Sequence, residues 1–140
     1  MTAENRALIF APLMMPFAFI FYAFFADVPG FNMETGILSF IASVVTVVIV
    51  GLPVVYLYEF FIGYRFYQLL VKKNRVNIFS LTLGAVIIAD IPMFMILLAG
   101  GGGEDSLSVA LQLFSFVGFM IGLTFWVLLN LDELKKKWAK

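Results

Sequence analysis

The sequence predicts an all-α integral membrane protein, a single bundle of four transmembrane helices with both termini on the cytoplasmic side. Three observations lead there. First, 63% of the 140 residues are hydrophobic and 13% are charged, whereas soluble domains hold roughly half and roughly a quarter. Lipid is therefore the solvent for most of the chain. Second, the apolar residues fall into runs at about 7–26, 36–57, 79–99 and 107–131, each long enough to cross a hydrocarbon core of ~30 Å as a helix. Third, all 9 Lys and Arg residues fall on one side if the runs alternate across the membrane. Arg6 precedes the first run, Arg65, Lys72, Lys73 and Arg75 lie between the second and third, and Lys135, Lys136, Lys137 and Lys140 follow the fourth. The opposite loops carry Asp27, Glu34, Glu104 and Asp105 instead. In short loops this asymmetry sets orientation.

The runs use up most of the chain, so residues 1–140 are expected to form one transmembrane domain. In the first run, Pro12 and Pro16 each remove a backbone donor and predict a kink in its first half. The run is too long for a cleaved signal and lacks an A-x-A site, so it reads as a retained span. Its later residues, Phe17, Phe19, Phe21, Tyr22, Phe24 and Phe25, suit lipid or the gaps between helices. The second run is rich in Val and Ile, yet in lipid only a helix satisfies its backbone; Pro53 predicts a kink near its far end.

Residues 58–78 interleave aromatics with Arg65, Lys72, Lys73 and Arg75, which suits an interfacial segment at headgroup level. The same mixture can bind single-stranded nucleic acid, but its place between two spans favours the membrane, and nucleic acid is not an expected partner. The third run ends in Gly100-Gly101-Gly102-Gly103. No Lys-Ser or Lys-Thr follows, so this is not a phosphate loop. The fourth run leads into a basic tail, where Trp138 and the lysines suit anchoring at the inner interface.

Between helices in lipid, small and polar residues mark the packing faces. Gly36, Ser39, Ser43 and Thr46 share one helical face of the second run. Ser108, Gln112, Ser115, Gly118 and Gly122 share one of the fourth, where Gly118 and Gly122 form a G-x-x-x-G. The third run carries one acid, Asp90, two residues before Pro92 and close to the bilayer midplane. A charged carboxylate there costs at least ~2.5–3.5 kcal/mol, and its own face (Phe79, Leu83, Val86, Ile87, Phe94, Leu97) offers no partner. Ser43, Thr46, Ser115 and Gln112 are the candidate partners, and Asp90 is expected where both polar stripes meet. Two roles are open: a proton or ion site, or a cap repairing the helix that Pro92 interrupts. Glu59, just past the second run, is expected to be neutralised by Arg65, Lys72 or Lys73.

The chain has no Cys and no His, which excludes disulfides, thiol chemistry and imidazole general bases. No pair of acids is spaced for shared chemistry. An enzyme, a metal site and a cofactor are therefore not expected.

Two pieces resemble a loose group of small four-span bacterial membrane proteins. One is Gly51-Leu52-Pro53, followed by a basic loop and a third span opening with Gly84-Ala85. The other is Gly118-x-x-x-Gly122-Leu123-x-Phe125-Trp126. The longer aromatic loop and Asp90 depart from that group. The resemblance implies a bacterial inner membrane and an accessory, immunity or defence-type subunit, its partners being the bilayer and either a second copy or another membrane protein. The competing expectation is a small proton-coupled transporter or oligomeric channel that uses Asp90.

Overall fold

The computed structural model describes residues 2–25, 36–98 and 104–138, and among them every element is a helix. The helices are α1 (Ala3–Phe10), α2 (Met14–Phe25), α3 (Ile37–Thr46), α4 (Leu52–Tyr58), α5 (Tyr64–Lys72), α6 (Ile78–Leu98), α7 (Glu104–Leu129) and α8 (Leu131–Trp138). Three stretches are long and apolar enough to cross a bilayer, or 4 if the bent pair α1–α2 counts as one span.

Pro12 sits in the break between α1 and α2, which bend by 43°. Pro16 falls in the first turn of α2, where a missing donor is harmless because helix-start N–H groups have no intrahelical partner. The proline nearer the start therefore makes the expected kink, and the other is absorbed.

From Ile37 to Lys72 the chain is continuous helix, with π turns at Val47–Gly51 and Glu59–Gly63 joining α3, α4 and α5. Pro53 follows the first of these turns, which loosens the backbone where its ring would crowd a carbonyl one turn back. Residues 58–72 thus continue the second helix, because nothing between 57 and 64 breaks it. At 35 apolar-spanning residues this rod is roughly 50 Å long, well beyond a ~30 Å core, so one end must emerge. Asn74, at a left-handed φ of 50°, ends it in the manner of a helix C-cap.

A reciprocal cap starts α6. Asn77 Oδ1 accepts from the Ser80 N–H at 2.8 Å, and Ser80 Oγ accepts from the Asn77 N–H at 3.2 Å, satisfying donors the helix leaves free. The helix then runs through Pro92 as one continuous element.

The buried core joins Ala7, Ala11, Met15 and Ala18 to Tyr67, Leu70, Leu81, Val117, Ile121 and Phe125. Polar bonds lock one end of it. Arg6 donates to the Leu128 carbonyl through Nε at 3.3 Å and Nη2 at 3.0 Å and pairs with Asp132 at 3.3 Å. Leu128 is in the last turn of α7, where carbonyls lack helical donors. Tyr67 Oη donates to Glu4 at 2.9 Å, and Tyr56 Oη to the Ile9 carbonyl beside the α1–α2 break at 2.6 Å. The start of α1, the end of α7 and the basic end of α5 therefore share one end of the bundle.

Candidate functional site

The α6–α7 seam is built by the two glycines. A Cβ at Gly118 would lie 2.8 Å from both the Ala85 carbonyl oxygen and Ala89 Cβ, and one at Gly122 would lie 2.8 Å from Ala85 Cβ and Thr82 Cα. Glycine lets the backbones touch, and small residues on α6 receive them. The G-x-x-x-G face is thus used within the chain.

Asp90 lies along the edge of this seam at 7% exposure. Ser115 Oγ donates to Asp90 Oδ2 at 2.8 Å, while Oδ1 is buried with no hydrogen-bond partner among the described residues. An unmatched buried acceptor costs about 1–3 kcal/mol. The sequence placed these two residues at one depth, and the structure brings them together.

The rest of the expected constellation disperses. Gln112 Oε1 accepts from Tyr22 Oη of α2 at 3.2 Å. Thr46 Oγ1 donates to the Ala42 carbonyl of its own helix at 2.8 Å, and the side chain of Ser43 lies outside the described residues. The reason is rotational. Ile88, two residues before Asp90, lines the space facing the second helix, and two residues turn an α-helix by about 200°. Asp90 therefore points to the opposite side of α6, and the two polar stripes do not meet at it.

That space is a half-open cavity of about 380 Å³ between α2, the second helix, α6 and α7. Its wall is almost wholly apolar, running from Thr46 and Val50 past Ala85, Ala89 and Pro92 to Phe66 and Phe125. One acid lines it, Glu59. The carboxylate lies over Gly63, where a Cβ would be 3.3 Å from Glu59 Oε2. Neither Arg65, Lys72 nor Lys73 comes within ion-pair distance; among the described residues the ion pair is Arg6–Asp132. The expected neutralisation is therefore absent, because α5 continues the helix and carries those cations further along it.

Sequence reasoning passed over Glu59 as a site. The available signal was its spacing: acid and glycine four apart share one helical face. The acidic residues Asp27 and Glu34, and the side chains of Glu104 and Asp105, lie outside the described residues.

Comparison with protein-family models, with curated proteins and with solved structures finds no match to this chain.

Proposed function

We propose that this chain is a non-enzymatic, four-span protein of a bacterial inner membrane with both termini in the cytoplasm. In this reading it is an accessory, immunity or defence-type subunit that docks another membrane protein, or a second copy, on α3. The exposure of α3 carries the reading. Leu38 is 86% exposed, and Gly36, Ser39 and Thr46 remain uncovered, although small and polar residues in a span are ordinarily spent on helix contacts. The orientation rests on the basic residues gathering at the end locked by Arg6 and Tyr67. To test it, membranes carrying wild type or Ser39→Leu/Thr46→Leu are solubilised gently and sized on native gels. The reading expects a complex larger than the 15.7 kDa chain that the variant loses while the bundle still melts normally. A wild type that runs alone would sink it.

Asp90 supports a second reading, proton-coupled transport or an oligomeric channel. Its unmatched Oδ1 fits an intramembrane acid kept for traffic. Liposomes under an imposed proton gradient decide: flux in wild type that vanishes in a folded Asp90→Asn favours transport, and no flux in either removes this reading.

A further inference from the structure

We propose that the central cavity is a binding site for a lipophilic organic cation, with Glu59 as its counter-charge. The inference goes beyond docking at α3 and does not depend on it. The cavity volume of about 380 Å³ lies in the range of small-molecule sites, which are mostly apolar with a few placed polar groups.

The wall fixes the ligand class. Glu59 is the single ionisable acid or base in it apart from the phenols of Tyr58 and Tyr67. An acid facing an apolar wall is costly unless something compensates it, and no Lys or Arg of the wall does so. A metal ion is a poor fit, because hard cations need about six or more oxygen ligands and one carboxylate supplies two. An organic ammonium or phosphonium ion fits better: its charge meets Glu59 and its hydrocarbon meets the wall. The rings of Phe66, Phe125 and Tyr58 line the same space, and aromatic faces attract cations.

Position supports the assignment. Glu59 is eight residues before Tyr67, a rise of about 12 Å along the helix, and the Tyr67 hydroxyl donates to Glu4. The acid is therefore set inward from the end where the cationic residues gather. Gly63 leaves room for the carboxylate beside its own helix.

The test is titration of the full chain, in discs of zwitterionic lipid, with tetraphenylphosphonium and with neutral triphenylphosphine oxide, each corrected for lipid-only discs. Wild type should bind the cation saturably and at least tenfold tighter than the neutral compound. Glu59→Gln should lose that preference while keeping weak binding of the neutral compound, and Glu59→Asp should restore part of it. Equal wild-type affinity for the two probes would overturn the proposal, whatever the variants do, and leave an apolar groove suited to a lipid chain. Cation binding unchanged in Glu59→Gln would overturn it equally.

Discussion

The α6–α7 seam and α3 are both lined with small and polar residues, yet they end in opposite states. Along the seam Gly118 and Gly122 press against Ala85, Ala89 and Thr82, and Ser115 reaches Asp90. On α3 and at its start, Gly36, Ser39 and Thr46 stand uncovered, and no described residue of that helix joins the buried core. Water does not explain the difference, since lipid gives no hydrophobic reason to close either face. What separates them is fit. The seam has a partner helix with small residues in matching register, and α3 has none among the described residues.

Substitutions can break that contrast. Gly118→Val or Gly122→Val should cost about 3 kcal/mol through overpacking against backbone, read as a shifted midpoint in detergent unfolding. Ala42→Val, exposed on α3, should stay within about 0.5 kcal/mol. Equal effects at the two sites would erase the distinction. Ser115→Ala comes next: stripping the donor from a buried carboxyl should cost about 1–3 kcal/mol, against a negligible change for Ser39→Ala. The smallest effect belongs to the locked end. Arg6→Met removes the N–H groups that reach Leu128 and should cost about 1 kcal/mol, the ion pair to the 68% exposed Asp132 adding little. A larger loss for Arg6→Met than for Gly118→Val would reverse the ranking.

The contrast also marks what could be read from residues alone. The all-helical class with three or four helices apolar enough to cross a bilayer, the break at Pro12 and the meeting of Asp90 with Ser115 are legible, because composition, a missing N–H and depth along a helix are one-dimensional properties. The facing of the second helix was not. A stripe such as Gly36–Ser39–Thr46 says which side of a helix wants company, but not whether that company is in the same chain. Nor does it say what the face meets further along: one turn past Thr46 the same row continues through Val50 and Val54 into the cavity wall. For this reason the residues alone point Asp90 towards Thr46, and Glu59 towards a neutralising cation. The continuity through 58–72 was hidden because basic and aromatic residues describe an environment, not a helix end.

The most direct measurement is a cysteine scan of α3 in native membranes, which the absence of natural cysteine makes clean. Single cysteines are placed along α3 and at lipid-exposed Phe79 on α6, then cross-linked with a short bifunctional reagent. The account predicts adducts at positions 39, 42 and 46, recurring at helical spacing, with little at 38 or 79. Equal yields at every position, or none on α3, would contradict it.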